Sequence, residues 1–323
     1  MKRRDFISKS ALLGGSIILP WKPSMAKSGK AEKLRVGLIA DLHNDVMHDG
    51  EERLNVFLNQ ATKNESDFIV QMGDFCVPKN QNEGLIQLWK SYKNPSYHIL
   101  GNHDTDGGFE HEQTMDFWGM KDRYYSFDAR GYHFIILDGN DPNPKPWSGY
   151  NRYIDSDQQL WLEQDLANTR LHTFVFSHQT LENEEGGVAN FKELRSILEV
   201  ENQKAGETKV VGCFSGHHHT DYMTNINGIY YIQVNSASYR WVGKDFLQVR
   251  YSKEIDEKYP WIKYTIPYKD PLFTFLDIDP RGLLKIEPRS TEFVGPGPKE
   301  MEGLISSDND PIVSTISGFS YNF

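Results

Sequence analysis

The sequence predicts an α/β fold, because short apolar segments alternate with amphipathic segments through its first hundred residues. Three apolar runs, at 34–40, 68–72 and 97–100, have the length and composition of buried strands. Apolar residues recur at helical spacing between these runs, first at Leu54, Phe57, Leu58 and Ala61 and then at Leu85, Leu88 and Trp89. This order of strand, helix, strand, helix, strand predicts a parallel sheet with helices packed on its faces.

Further elements follow along the chain. A hairpin is predicted at 124–128 and 132–137 and a second, later one at 273–278 and 283–286. Helices are predicted at 155–167 and 191–200, and strands at 173–176, 209–214 and 229–234. We therefore expect one domain over 33–290. Because Gly and Pro alternate at 295–298, we expect an irregular C-terminal tail over 291–323.

The composition limits the classes of protein that this chain can form. Of its 323 residues 38% are hydrophobic and 25% are charged, which excludes a collagen-like repeat and bulk disorder. The formal net charge of −10 argues against long nucleic acid or an anionic membrane surface as a partner. A small phosphate ester stays possible, because a bound metal ion can reverse the local charge.

The first 26 residues have the features of an export signal. Arg3 and Arg4 precede an apolar stretch at 11–19, and Ser24 and Ala26 are small residues at the two positions that a signal peptidase reads. The adjacent arginines predict a twin-arginine-like signal and a periplasmic or extracellular location, with a Sec signal or an uncleaved anchor as alternatives. The apolar stretch is too short for a stable membrane span, and cleavage after Ala26 would leave a mature net charge of −14.

The chain has two cysteines, Cys76 and Cys213, and each follows an apolar run. Two cysteines are too few for a disulfide scaffold or a thiolate zinc cluster. We expect two buried, unpaired thiols, and a disulfide between them is the alternative that export would allow.

Polar side chains of metal-ligand type follow five of the predicted strands. In chain order they are Asp41 and His43, Asp74, Asn102 and His103, His178, and His217 and His219. Ligand sites in open α/β sheets lie beyond the carboxyl ends of the strands, so these side chains could converge. Extended Asp-x-His and His-x-His spacing would point both members of each pair the same way. Oxygen and nitrogen donors without a thiolate suit Mn, Fe or Zn. Their number fits two divalent ions sharing a bridging carboxylate.

These motif blocks, in this order from Asp41 to His219, resemble the calcineurin-like metallophosphoesterases. The resemblance implies a four-layer α/β/β/α sandwich of two mixed sheets flanked by helices. It also implies a first metal held by Asp41, His43, Asp74 and His219, and a second held by Asp74, Asn102, His178 and His217. By the same resemblance, His103 would lie near the leaving-group oxygen, and Asp104 would orient it. Val77 stands where the purple acid phosphatase branch has a tyrosine, so no tyrosinate-bound ferric ion is expected.

Together with the predicted export signal, the resemblance implies an exported dinuclear-metal hydrolase of phosphoric esters, in which a hydroxide activated by the metals attacks a phosphomonoester or phosphodiester in line. The alternatives are a non-catalytic metal-binding surface protein on the same scaffold, and a nuclease. Tyr239, Arg240 and Trp241 could frame the substrate pocket, with a phosphate on the arginine and a base on the aromatic rings. The alternative for these three residues is packing between layers. His98, His111, His133 and His172 are expected to be structural.

Overall fold

The computed structural model describes residues 30–307 and 310–323, so the predicted export signal lies outside the described residues. The helices are α1 (Gly50–Lys63), α2 (Glu83–Lys90), α3 (His111–Trp118), α4 (Ser156–Asn168), α5 (Phe191–Ala205) and α6 (Lys253–Lys258). The strands are β1 (Leu34–Ile39), β2 (Phe68–Gln71), β3 (Ser96–His98), β4 (Tyr125–Ala129), β5 (Tyr132–Ile136), β6 (Thr173–Phe176), β7 (Val210–Ser215), β8 (Tyr222–Ile226), β9 (Ile229–Gln233), β10 (Tyr239–Trp241), β11 (Thr265–Pro267), β12 (Thr274–Asp279), β13 (Leu283–Ile286), β14 (Arg289–Ser290), β15 (Thr315–Ile316) and β16 (Phe319–Asn322).

Two six-stranded mixed sheets form the centre of the fold. The first has the order β16-β13-β12-β1-β2-β3, and the second has the order β4-β5-β6-β7-β9-β8. Strands β1, β2 and β3 run parallel, as do β5, β6, β7 and β9. Strands β12, β13 and β16 of the first sheet, and β4 and β8 of the second, pair antiparallel with their neighbours. The fold class predicted from the resemblance is therefore confirmed, and both predicted hairpins are present as β4–β5 and β12–β13.

The alternation of side chains along the strands creates the layers. In β2, Phe68 and Val70 face the core between the two sheets, while Ile69 faces α1 and α2. In β5, Phe134 faces the same central core, while Ile135 faces α4 and α5. Each sheet thus has one face on the other sheet and one face on helices, which requires apolar residues at successive positions.

The C-terminal region is not an irregular tail, and that prediction was wrong. Strand β16 pairs antiparallel with β13 and forms the edge of the first sheet, and β15 pairs with β14. Tyr321 is buried in the central core, while Ser320 and Asn322 are exposed. This alternation is the ordinary pattern of a half-buried strand. The Gly-Pro repeat before it predicts only where the chain turns.

Helix α5 continues one and a half turns beyond the predicted end at residue 200. It ends at Gly206, whose φ of 71° is the left-handed conformation typical of a helix C-cap. Glu201 is buried within these last turns and forms ion pairs with Lys204 and Lys209. The periodicity that predicts a helix is judged from apolar residues alone. A buried charged residue such as Glu201 interrupts that pattern, so the helix was predicted to end too early.

Cys76 and Cys213 are both buried and free, as expected, and the alternative of a disulfide between them is not present. Cys213 lies in the cluster between the second sheet and its helices, and Cys76 lies on the other side of the molecule with α1 and α2. No helix in the described part of the chain has both the length and the apolar character of a membrane span.

His133, in β5, lies between two acidic residues, Asp128 in β4 and Asp165 in α4. Its Nδ1 lies 2.6 Å from Asp128 Oδ1, and its Nε2 lies 2.7 Å from Asp165 Oδ2. Burial lowers the pKa of His133, but hydrogen bonds to these two carboxylates outweigh it and raise the pKa above its usual value. Each ring nitrogen thus has a carboxylate oxygen as its partner, which favours the doubly protonated ring.

Replacing His133 with Asn is expected to lower the free energy of unfolding most at low pH. A raised pKa in the folded state contributes stability that is complete below the unfolded value, about 6.5, and is lost as the pH rises through the folded value. The difference between wild type and variant should be about 1–3 kcal/mol near pH 6 and smaller at about pH 9, measured by urea unfolding. An equal difference at both pH values would show that the ring is not protonated in the folded protein.

Candidate metal centre

The two sheets bring their strand ends together at one site. Asp41 and His43 follow β1, and Asp74 follows β2. His178 follows β6, and the segment 217–219 follows β7. The first sheet therefore supplies the carboxylates, and the second sheet supplies most of the imidazoles. The site straddles the two sheets, so neither sheet alone could form it.

The backbone at the site is left-handed, which the predicted extended spacing did not anticipate. In the described residues, eight non-glycine residues have positive φ, and five of them are predicted ligands: Asp41, His43, Asp74, His217 and His219, with φ from 49° to 70°. Such conformations are unfavourable for residues with a Cβ and concentrate at functional sites. The two members of each ligand pair point to the same site because the loops turn sharply at these residues. They do not do so because of the two-residue periodicity of an extended strand.

Glycines before the ligands leave room for them. A Cβ on Gly73, which has a φ of 94°, would lie 2.4 Å from His178 Nδ1. A Cβ on Gly216 would lie 2.5 Å from Asp41 Oδ2. These close approaches explain why Gly precedes the ligand residues in the Gly-Asp and Gly-His motifs.

The first group of donors consists of Asp41, His43 and His219, all of which are buried. The Nε2 atoms of His43 and His219 are 3.1 Å apart, and His219 Nε2 lies 3.3 Å from Asp41 Oδ1. Nδ1 of His219 donates to the carbonyl of Tyr239 at 2.8 Å. That hydrogen bond fixes the tautomer, so that Nε2 is free to bind a metal ion.

The second group consists of Asp74, His178 and His217. His178 Nε2 lies 3.1 Å from Asp74 Oδ2 and 3.2 Å from His217 Nδ1, and Nδ1 of His178 donates to the carbonyl of Met72. Asp74 Oδ2 is also 3.5 Å from Nε2 of His43 in the first group. The backbone N–H of His103 donates to the other oxygen of Asp74 at 2.8 Å. Asp74 therefore lies between the two groups, in a position to serve both.

The buried polar atoms of the site fit two cations. Nε2 of His178 and Nε2 of His219 are lone-pair atoms when their rings are neutral, and each faces a carboxylate and a second imidazole nitrogen. Asn102 is buried, and neither its Oδ1 nor its Nδ2 has a hydrogen-bond partner among the described residues. An unpaired buried amide is costly unless it binds something. Converging lone pairs and an unpaired amide oxygen are what a metal ion would satisfy.

The electrostatics of the site couple one carboxylate to the surrounding imidazoles. Burial raises the pKa of Asp74, but His178 and His103 outweigh burial and hold that pKa well below its usual range. Burial lowers the pKa of His178, but Asp74 outweighs burial and raises it to about 10. Burial lowers the pKa of His43 and of His217 well below the ordinary value, so both rings are neutral ligands.

The predicted orienting role of Asp104 was wrong. Asp104 is fully buried and accepts backbone N–H groups of Asp74, Phe75, Cys76 and Gly101 at 2.7–3.1 Å. It therefore fixes the loops that carry Asp74 and Asn102. The partner of His103 is Asp106, whose Oδ2 lies 2.7 Å from Nδ1 of the ring. Asp104 points toward the backbone because a carboxylate can accept several N–H groups, whereas His103 points toward the cavity.

The three predicted substrate residues have three different environments. Tyr239 is buried, and its ring centroid lies 5.0 Å from that of His43 and 4.9 Å from that of His219. Arg240 donates to the carbonyls of His218 and His219 and forms an ion pair with Asp310, so its guanidinium braces the histidine loop and is not free for a phosphate. Trp241 is 45% exposed and lines the cavity.

A cavity of about 840 Å³ opens over the two groups of donors. Residues that the sequence did not single out also line it, among them Lys79, Asp106, Tyr150 and Trp261. Asp106 could have been noticed, since it lies three residues after His103 in a Gly-Asn-His-Asp-Thr-Asp segment. Tyr150 and Trp261 lie in loops far along the chain, and no local pattern indicates that they reach this site.

The fold and the donors together define a metal-dependent hydrolase with two adjacent ion sites. The profile of the calcineurin-like phosphoesterases matches residues 34–221, which is more than half of the chain. The chain therefore belongs to the calcineurin-like phosphoesterase family and is a metal-dependent phosphoesterase.

Solved structures share the fold at low sequence identity. A dimetal phosphatase from Danio rerio is 14% identical, with a TM-score of 0.58 over 81% of this chain and 98% of that chain. GAP50, the anchor in the inner membrane complex of Plasmodium, is also 14% identical, with a TM-score of 0.51 over 90% of this chain and 89% of that chain. A comparison with curated proteins found no significant match. At this identity the likeness establishes the fold alone.

Proposed function

We propose that this protein is a dinuclear-metal phosphoesterase that hydrolyses small phosphodiesters. The observation that carries the proposal is the position of Asp74, whose Oδ2 faces His43 at 3.5 Å and His178 at 3.1 Å. The first ion would be held by Asp41, His43, Asp74 and His219, and the second by Asp74, Asn102, His178 and His217. Such ions supply positive charge to phosphoryl oxygens and acidify water.

The residues around the donors determine what these ions could act on. His103 lines the cavity beside the donors and is the group placed to protonate a departing oxygen. Burial lowers the pKa of His103, but Asp74 and Asp106 outweigh burial and raise it to about 9. The contact of Nδ1 with Asp106 favours a protonated ring, which leaves Nε2 as the hydrogen-bond donor toward the cavity.

The charges of the cavity favour a monoanionic diester over a dianionic monoester. Among the described residues that line it, the cationic side chains apart from histidine are Lys79 and Arg240, and Arg240 is engaged by backbone carbonyls and Asp310. Apart from the donor Asp74, two carboxylates, Asp45 and Asp106, line the same cavity. A phosphomonoester would bring a second negative charge into a site that has one free lysine to meet it.

The wall of the cavity suits an ester with a planar organic group. Trp241 and Trp261 both line it and are 45% and 52% exposed. Indole rings with this much exposed surface at the wall of a cavity commonly stack on planar ligands. We therefore expect aryl or nucleoside esters to be better substrates than small alkyl esters.

The alternative is a non-catalytic protein that uses the same scaffold. One structural neighbour with this fold is described as an anchor, so the fold alone does not decide between enzyme and binding protein. The complete donor set and the placement of His103 in the cavity favour the enzyme. A nuclease acting on long nucleic acid is disfavoured by the net charge of −10.

A phosphate-ester screen with Mn²⁺-loaded protein tests the proposal. We expect turnover of bis-4-nitrophenyl phosphate with a higher kcat/KM than 4-nitrophenyl phosphate, and loss of both activities in Asn102→Ala. Asn59→Ala, at an exposed position of α1, is the matched control and should retain activity. Two bound ions without turnover of any mono-, di- or cyclic ester would support the binding protein.

We also propose that the chain is exported through its twin-arginine-like segment. Support comes from Arg3 and Arg4 ahead of the apolar stretch 11–19. Replacing both arginines with lysine should abolish export of the full chain in a bacterium that has this pathway. Unchanged export of the lysine variant would favour a Sec signal.

A further inference from the structure

A cluster of three polar side chains lies at the edge of the cavity beside the metal donors. His103 Nδ1 is 2.7 Å from Asp106 Oδ2, and the hydroxyl of Tyr150 donates to Asp106 Oδ1 at 2.8 Å. The same hydroxyl oxygen lies 3.1 Å from His103 Nδ1. The ring centroids of His103 and Tyr150 are 4.6 Å apart. Nδ1 is thus enclosed by two oxygens, and Nε2 has no hydrogen-bond partner among the described residues.

The stability of the fold does not require this cluster. The side chains of His103 and Asp106 are 41% and 43% exposed, and Tyr150 is 45% exposed. An ion pair with this exposure contributes between about 0 and 1 kcal/mol. The geometry is nevertheless well defined, because each carboxylate oxygen of Asp106 has its own hydrogen-bond partner. The two partners, His103 and Tyr150, also contact each other.

The loop that carries Tyr150 is held in place by contacts that do not involve His103 or Asp106. Trp147 Nε1 donates to the carbonyl of Tyr150 at 2.7 Å, and the guanidinium of Arg152 lies 5.2 Å above the Trp147 ring. A backbone bridge between Asn140 and Tyr153 closes the base of the loop. Tyr150 therefore reaches His103 from a braced position 47 residues along the chain.

We propose that Asp106 and Tyr150 are positioning residues that hold the imidazole of His103 with Nε2 toward the leaving-group oxygen of the ester. This inference rests on the proposed phosphoesterase function. As a hydroxide derived from water bonds to phosphorus, the P–O bond to the leaving group breaks. The electron pair of the broken bond goes to the leaving oxygen, and Nε2–H supplies the proton. The proton on Nδ1 stays on the ring, hydrogen-bonded to Asp106, throughout the step, so Asp106 stays a carboxylate. The leaving group departs as a neutral alcohol or phenol.

The step predicts a dependence on the leaving group that a structural role would not produce. A 4-nitrophenolate departs readily without a proton, whereas a phenolate, with a pKa of about 10, departs far better when protonated. A displaced His103 should therefore lower the turnover of a 4-nitrophenyl ester little and the turnover of a phenyl ester strongly.

The experiment compares full-length, Mn²⁺-loaded wild type with Asp106→Asn and Tyr150→Phe, using methyl 4-nitrophenyl phosphate and methyl phenyl phosphate. Asp106→Asn should lower kcat on the phenyl ester by about 10–100-fold and on the 4-nitrophenyl ester by less than about 3-fold, with KM little changed. Tyr150→Phe, which keeps the ring, should show a smaller effect in the same direction. Asp116→Asn, an exposed charge change on α3, is the matched control.

The outcomes separate this inference from the proposed function. No turnover by wild type of either ester would refute the proposed function. Turnover by wild type with equal losses on both esters in Asp106→Asn, or with no loss on either, would overturn the positioning role. If Asp106→Asn does not fold, the selectivity of Tyr150→Phe decides alone, and unchanged selectivity there would overturn the role.

Discussion

Asp74→Asn is expected to lower phosphodiesterase activity by at least about 100-fold, even at saturating metal, because partners in the outer shell of a metal site already cost 10–100-fold when lost. Asp74 Oδ2 lies 3.5 Å from Nε2 of His43 and 3.1 Å from Nε2 of His178, so both donor groups depend on it. Asn offers one oxygen without a charge, and its NH₂ group would repel a cation. Activity on bis-4-nitrophenyl phosphate and bound metal, measured on the same samples, check the result.

Asp41→Asn provides the comparison for this prediction. Asp41 belongs to the first donor group alone, with His219 Nε2 at 3.3 Å. We expect it to weaken binding of one ion, whereas Asp74→Asn weakens both. Equal affinities for both ions in wild type and Asp74→Asn would contradict a shared carboxylate.

His103→Ala is expected to lower kcat on methyl phenyl phosphate by about 10²–10⁴-fold while both ions stay bound, because it removes the proton donor and no metal ligand. Its neighbour Asp104 should behave differently. Asp104→Asn replaces one acceptor oxygen by an NH₂ group among four backbone N–H donors, so it should lower the free energy of unfolding by about 1–3 kcal/mol.

The two neighbouring variants are compared by urea unfolding and by kcat at a temperature where both are folded. His103→Ala should leave the unfolding midpoint close to that of wild type. A His103→Ala protein with wild-type kcat on the phenyl ester would remove this residue from the mechanism. An Asp104→Asn protein of unchanged stability would show that its backbone hydrogen bonds do not hold the loops.

The donor residues could be predicted from the sequence because each follows an apolar strand directly. The chain cannot bury charged or imidazole groups there without a partner, so Asp74 and His178 after buried strands indicate a site. The glycines at 73 and 216 add to the signal, because they stand where a Cβ would collide with a donor. No feature of the sequence predicts the left-handed backbone at His217, because non-glycine residues rarely adopt this conformation.

The other side chains of the site depend on tertiary contacts that local pattern does not encode. Asp104 and Asp106 are the same residue type two positions apart, and only the course of the loop decides which one faces His103. Arg240 follows a strand end as a phosphate-binding arginine would, but Asp310, seventy residues later, engages it. The same limit explains the C-terminal strand β16, whose partner β13 lies across a long connection.

The most direct test of a shared two-ion site is a crystal structure of the Mn²⁺-loaded protein with anomalous scattering data. Our account predicts two manganese peaks about 3.5–4 Å apart, with the Asp74 carboxylate between them and Oδ1 of Asn102 on the ion nearer His178. A single peak, or two peaks outside the cavity that His43 and His217 line, would contradict it.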